Sequence, residues 1–304
     1  MMSARYPTTA PSSNRNRRAL FSWRKAVVYL LVLLVLLWTV APLYFLLITS
    51  LKQYVGTIAY PLSWLPEPFT WSNYAIMFSS YSPGSISYRF LHALENSIIA
   101  SGSTTVVNLI FGTAAAYVLS RAKMRGKNVI TMLFLASNLL PTVALIIPFY
   151  VLTVTYLSAL NLYDTNTLLV IVYTSFSLGL VIWIMRGYFD AIPVELEEAG
   201  RVDGASRMTT LVRIILPLTG PGLLATGLLT FLTSWDNFIL PLVLAPDSSA
   251  YNLPFFIYSL NGQYLHLNNQ VAAGGLLSAL PPILIVAVFG RFIVSGLTAG
   301  SVKG

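Results

Sequence analysis

Six stretches of this 304-residue chain run for about the thickness of a bilayer almost without charge. A helix needs about 20 apolar residues to cross the hydrocarbon layer. Ala26–Leu51, Asn96–Ser120, Asn128–Tyr163 and Thr165–Met185 contain no Asp, Glu, Lys or Arg. Leu267–Gly290 is equally free of charge, and Ile214–Ala245 is interrupted only by Asp236. The spacing predicts an all-α polytopic membrane protein with six transmembrane helices. Composition agrees: charged residues make up 9% of the chain, against about 25% in a soluble domain. There are no cysteines, which excludes disulfides and thiolate metal sites.

Lys and Arg fall mainly on one side of these spans. Arg5, Arg15, Arg17, Arg18, Arg24 and Lys25 precede the first, and Arg121, Lys123, Arg125 and Lys127 join the second to the third. Arg186, Arg201, Arg207 and Arg213 join the fourth to the fifth, and Arg291 and Lys303 follow the sixth. Only Lys52 and Arg89 fall on the other side. Cytoplasmic loops carry the excess of Lys and Arg. Both termini and the long fourth-to-fifth connection are therefore expected in the cytoplasm. Orientation in a membrane, rather than nucleic-acid binding, accounts for the net charge of +8.

Residues 1–25 read as a basic, disordered tail, residues 26–297 as the membrane domain, and residues 298–304 as a short cytoplasmic tail. The first apolar run exceeds the 7–15 residues of a signal-peptide core, so it is expected to remain as a span. The first external loop, about residues 52–88, carries Pro61, Pro66 and Pro68, which forbid a long helix. Its Trp64, Trp71, Tyr74 and Phe78 suit an interfacial anchor or a docking surface.

The connection Glu197–Pro217 reads EEAGRVDGASRMTTLVRIILP. Pro193 can open a helix, whose first turn needs no amide donor. Glu195, Glu197 and Glu198 then complement the positive end of the helix dipole. Asp203-Gly204 reads as a stop, because glycine accepts the left-handed conformation that ends helices. Ser206 can cap a second helix. Met208, Leu211, Val212 and Ile215 follow with helical spacing, and Pro217 opens the fifth span or bends its entrance. The product is a hairpin of two short helices at the membrane surface.

This spacing resembles the EAA loop of ATP-binding-cassette (ABC) importer permeases. That pattern is E-A-A, three residues, G, nine residues, then I-x-L-P. Glu198, Ala199, Gly204, Ile214, Leu216 and Pro217 match, and Gly200 replaces the second Ala. Gly200 in place of Ala is expected to loosen the first hairpin helix by about 0.5–1 kcal/mol, the cost of such a change at an exposed helix position. Ile192–Gly204, Trp183–Phe189 and Ser234–Leu244 are similar to the sugar-importer branch. The tail Gly296–Gly304, GLTAGSVKG, is similar to that of the maltose-type second permease subunit.

The resemblance implies a type I ABC importer permease in a prokaryotic plasma membrane, itself not an enzyme. It implies a heterodimer with a second permease subunit, two ATPase subunits, an extracytoplasmic solute-binding protein and a sugar substrate. ATP and Mg would be bound by the ATPase subunits, with no cofactor on this chain. The EAA-like loop would be the coupling helix, carried by Glu197, Glu198, Ala199, Gly200, Asp203, Gly204, Leu216 and Pro217. Gly300, Ser301 and Lys303 would reach the ATPase interface. A polyol or glycerol-phosphate-type solute would suit the same architecture.

Polar groups in spans are costly and usually face the bundle interior. Asn96, Ser101, Asn108, Asn138, Ser175, Ser177, Asp236, Asn237 and Ser278 are the candidates. Trp235, Asp236 and Asn237, with Asn138, are candidate pathway lining, since sugars stack on aromatic faces and bind carboxylates and amides. The rival role for Asp236 is capping or bracing a bent helix. Gly112, Ala114, Ala115, Ala116, Gly222 and Gly227 would permit close helix approach. Pro141, Pro148 and Pro281-Pro282 read as bends. A membrane-embedded protease lacks support: there is no GxSG motif, no pair of intramembrane Asp residues, and His92 and His266 sit near span ends. No phosphate-binding P-loop is present. A secondary transporter should show inverted repeats and several midplane ionisable groups, and neither is evident.

Overall fold

Backbone amides and carbonyls find no water inside a bilayer, so a spanning segment must satisfy them internally. The computed structural model describes residues 23–246, 250–262 and 267–299. Among these the long apolar runs are helical and no strand forms; one isolated antiparallel bridge joins Lys52 to Phe69. The chain divides into two compact units, residues 1–46 and 47–304.

The first unit holds most of α1 (Trp23–Ser50), an apolar helix with Pro42 inside it. In the second unit, α2 (Tyr54–Ile58) and α3 (Ser72–Ala75) are short helices of the external loop. Then come α4 (Ile86–Arg121), α5 (Lys127–Ser137), α6 (Thr142–Val151) with a π turn at Leu152–Tyr156, and α7 (Asn166–Ala191). The hairpin is α8 (Glu195–Val202) and α9 (Arg207–Thr210), a π turn at Leu211–Ile215, and α10 (Leu216–Leu218). Beyond it lie α11 (Gly220–Trp235), α12 (Ile239–Leu244), α13 (Leu253–Ser259) and α14 (Asn268–Ala299). The last helix thus runs past residue 297.

Four helices are long and apolar enough to span: Lys25–Ser50, Ile86–Arg121, Asn166–Ala191 and Asn268–Gly290. Two further candidates are bent pairs, so the described residues hold four to six spans. Lys127–Ser137 meets Thr142–Tyr156 at 88°, and Arg207–Leu218 meets Gly220–Trp235 at 78°. Proline explains the first break, because Pro141 steers the residue before it out of the α region. The second lies at Thr219, where Pro221 has no amide to offer the preceding turn. The expected fifth span, Ile214–Ala245, is therefore corrected: the chain turns at Thr219 and stops again at Trp235. Pro148 lies inside α6, and Pro281 and Pro282 lie inside α14, and the helical pattern continues past all three.

Helix α4 packs along α7 and α11, and α11 along α14. At the hairpin end, Ala116, Leu119, Val181, Ile182, Met185, Phe189 and Ile215 form one buried cluster. Met77, Phe90, Ala93, Trp235, Tyr251, Leu253 and Phe256 belong to another. Asn96, Ser101 and Asn108 are buried as expected. Asn108 Nδ2 donates to Ser177 Oγ at 2.6 Å, whereas Ser175 is exposed and donates to Ile171 O of its own helix.

The tightest crossing is one the sequence does not announce. A Cβ at Gly179 of α7 would lie 2.0 Å from the carbonyl oxygen of Phe134 in α5. Beside it, the Asn138 amide satisfies both neighbours when it donates to Phe176 O at 2.7 Å and accepts from Leu180 N at 3.2 Å. The end of α5 is thereby seated on the backbone of α7. Of the small residues singled out from sequence, Gly112 faces Val181 and Gly222 faces the ring of Tyr188.

Candidate functional site

The hairpin forms as its residues dictate. Glu195, Glu197 and Glu198 occupy the first turn of α8. Gly204 adopts φ +84°, and the bonds Asp203 N→Ala199 O, Gly204 N→Arg201 O and Ala205 N→Gly200 O close the helix end. Ser206 caps α9 by accepting from Thr209 N at 3.2 Å.

The two faces of the hairpin differ. Glu198, Ala199, Asp203, Gly204 and Pro217 are exposed, and Leu216 is half-buried. Val202, 87% exposed, and Met208, 68% exposed, give this face an apolar tip among Glu195, Glu198, Arg201, Asp203 and Arg207. Glu197 faces the other way. It is 1% exposed and paired with Arg121 Nε at 2.5 Å. The sequence grouped it with the coupling residues without saying which face of the helix it takes. Helical periodicity was the available signal, since Glu197 and Gly200 are three residues apart and so share a face.

Gly200 shares that buried face. A Cβ there would meet Ile214 Cδ1 at 2.9 Å and Thr210 Oγ1 at 3.4 Å. Its bareness lets α8 lie close against the second arm. The nearest obstacle is the free end of a flexible side chain, so Gly200→Ala is expected to be tolerated. Its melting temperature should stay within a few degrees of the parent, since about 0.5–1 kcal/mol of helix propensity offsets the shift of Ile214. Differential scanning fluorimetry of the detergent-solubilised protein checks this.

The second candidate site lies where the two helix breaks face each other. A cavity of about 210 Å³ is lined by Asn138, Leu140 and Thr142 at the α5–α6 break and by Tyr173, Phe176, Ser177 and Leu180 of α7. Thr233, Ser234, Asn237 and Leu240, at the α11–α12 break, complete it. A wider, more open cavity of about 620 Å³ shares Thr142, Thr233 and Asn237, and adds Asp236, Phe238 and Ile239. Together they make one crevice lined by hydroxyls, amides and aromatic rings, with the Asp236 carboxylate on its open side. Irregular backbone at membrane depth is tolerated where it lines a cavity.

Three of the four expected lining residues meet here: Asn138, Asp236 and Asn237. The side chain of Asn237 is also committed locally, since its Oδ1 accepts from Leu240 N at 3.2 Å at the start of α12. Asn252 Nδ2 holds its carbonyl at 2.6 Å. Trp235 is not with them. It is 3% exposed, stacks on Phe231 at 5.4 Å and donates Nε1–H to Ser278 O at 3.1 Å. Its ring is packed between α11 and α14 and lines neither cavity. Thr233, Tyr173 and Ser177 were missed as lining, because one hydroxyl in an apolar run carries no sign of which helix it faces. Among the described residues no group of His, Asp and Glu is arranged to hold a metal ion. Gly300, Ser301 and Lys303 lie outside the described residues.

Comparison with known proteins converges on one kind of molecule. The chain is 30% identical over 271 residues to the inner membrane ABC transporter permease protein YcjP of Escherichia coli, covering 89% of this chain and 94% of that one. It is 33% identical over 242 residues to the trehalose transport system permease protein SugB of Mycobacterium tuberculosis, covering 79% and 84%. Its fold is similar to a solved bacterial ABC transporter involved in the import of the acidic polysaccharide alginate. That match has a TM-score of 0.70 at 21% identity and covers 94% of this chain and 99% of the other. The family described as binding-protein-dependent transport system inner membrane component matches residues 108–298. With the bent spans, the outward-facing hairpin and the crevice between helix breaks, these matches show that the chain belongs to that family of ABC transporter permeases.

Proposed function

We propose that this chain is one of two membrane subunits of an ATP-driven sugar importer, with six spans and both termini in the cytoplasm. On this reading the bent pairs each count as one span, which brings the four long helices to six. The Lys and Arg distribution supports a cytoplasmic hairpin. The partners are a second permease subunit, two ATPase subunits that bind ATP and Mg, and an extracytoplasmic solute-binding protein. The chain itself does no covalent chemistry. The hairpin docks on the ATPase through Glu198, Ala199, Asp203 and Gly204, with Leu216 and Pro217 leading its motion into α11. Gly300, Ser301 and Lys303 are proposed to contact the ATPase pair.

One observation carries the sugar reading: the inner cavity of the crevice sets amides, hydroxyls and the rings of Tyr173 and Phe176 among leucines, with the Asp236 carboxylate on the open side. That lining suits a polyhydroxylated solute, and transport of trehalose by a relative points the same way. Cysteine labelling tests it cleanly, because the chain has no cysteine of its own. Thr233→Cys and Asp236→Cys are expected to react with a water-soluble maleimide in at least one nucleotide state. Adding the transported sugar with its binding protein should slow the reaction at Thr233. A residue 233 that stays unlabelled in every nucleotide state would refute the pathway.

A further inference from the structure

Glu197 and Glu198 are neighbours in sequence but opposites in position. Glu198 is exposed, and Glu197 is buried beneath α8. The Glu197 carboxylate accepts from Arg121 Nε at 2.5 Å and from the Tyr117 hydroxyl at 3.0 Å. The same Arg121 donates from a terminal nitrogen to Ile192 O at 3.0 Å, in the joint between α7 and α8. One guanidinium at the end of α4 thus holds both the hairpin helix and the strap leading into it.

A second polar cluster ties together the helix ends behind this pair. Ser120 Oγ donates to Asp190 Oδ1 at 2.5 Å, and Lys127 Nζ to Ser120 O at 3.1 Å. Arg186 donates to Asn128 Oδ1 at 2.5 Å and to Thr131 Oγ1, and pairs with Asp190 at 3.4 Å. The ends of α4, α5 and α7 are therefore bound to one another, and Arg121 binds α8 to them.

A buried ion pair is a poor source of net stability, because desolvation offsets most of its attraction. Its directional bonds supply fixed orientation instead. An apolar contact in the same place would let α8 slide, whereas a guanidinium with three acceptors (Glu197, Ile192 O and Ser120 Oγ) and a carboxylate with two donors set both angle and register. We propose that Glu197 and Arg121 are positioning residues that lock the hairpin to the ends of α4 and α7, so that a push on α8 moves these helices as one lever. The proposal rests on the reading of the hairpin as the ATPase-docking element and assigns the part that transmits the force.

The test uses the complete transporter reconstituted in lipid, with spin labels on Val118→Cys in α4 and Leu196→Cys in α8, both exposed positions away from the docking tip. In the parent, the 118–196 distance should be single, narrow and unchanged between the nucleotide-free and ATP-trapped states. Glu197→Gln should broaden it while the ATPase stays bound. Solute transported per ATP hydrolysed should fall at least about fivefold, the lower end of ordinary coupling between sites. Arg121→Gln/Glu197→Gln leaves no unpaired buried charge, so it serves if the single variant does not insert. It should show the same broadening and the same loss.

A parent distance that shifts by several ångströms between nucleotide states would overturn the lever. So would normal coupling in both variants despite a broadened distance. If the parent chain binds no ATPase, the docking reading fails and the lever fails with it. Bound ATPase with unperturbed variants overturns the lever alone.

Discussion

Gly179→Ala is expected to lower the thermal stability of the purified protein and to cut transport, while Gly187→Ala two turns further along α7 does neither. Both substitutions add one methyl group to the same helix. At position 187 nothing lies within 4 Å of the new carbon, and replacing a helical glycine with alanine gains about 0.5–1 kcal/mol. At position 179 the carbon would sit 2.0 Å from Phe134 O, 2.7 Å from its carbonyl carbon and 2.8 Å from the Asn138 side-chain amide. A backbone carbonyl cannot rotate away as a side chain can, so α5 itself must move. Overpacking of this kind costs about 1–3 kcal/mol, and more when backbone is the obstacle. Gly179→Val should be worse still. The displaced α5 carries Asn138 with it, so the crevice is deformed as well. Thermal unfolding and sugar uptake of the three variants measure this, and equal melting temperatures for Gly179→Ala and Gly187→Ala would show that the crossing is not as tight as described.

The second large effect is expected at Gly204. Its φ of +84° lies in the left-handed region, which costs an ordinary residue about 1–2 kcal/mol and a β-branched one more. No side chain or backbone atom stands within 4 Å of a Cβ there, so the penalty falls on the turn and not on the packing of the spans. Gly204→Val should insert and fold in the membrane, yet present a misshapen hairpin. Uptake and solute-stimulated ATP hydrolysis are expected to fall to background at parental expression levels. Glu198→Lys, which reverses an exposed charge beside the turn, should weaken the same contact without distorting the backbone.

Much of this was legible in the sequence, and the reasons differ from element to element. The long apolar runs were readable because lipid permits few alternatives to a helix. The hairpin turn was readable because Gly204 and Ser206 act through local backbone geometry, which requires no knowledge of the fold. The break at Pro141 was signalled by proline, while Pro148 and Pro281-Pro282 lie within helices that continue past them, so proline alone does not mark where a helix ends. The bend at Thr219 had its signal in Gly220-Pro221-Gly222, but the run from Ile214 to Ala245 holds a single charge and so reads as one span. Gly179 was missed because a lone glycine does not say what crosses it. Arg121 and Glu197 stand 76 residues apart. In sequence the first reads as a topology charge and the second as part of a helix first turn, and only packing brings them together. Trp235 looked like a sugar platform, but the close approach of α14 leaves its ring no open face.

The central claim is that the hairpin is where this membrane subunit meets an ATPase. Purifying the parent chain from its native membrane, with a photo-crosslinkable group attached at Val202→Cys, tests it most directly. The account predicts that an ATP-binding-cassette ATPase copurifies with the parent, crosslinks from position 202 and is lost from Gly204→Val. An ATPase held equally by parent and Gly204→Val, with no crosslink from position 202, would contradict it.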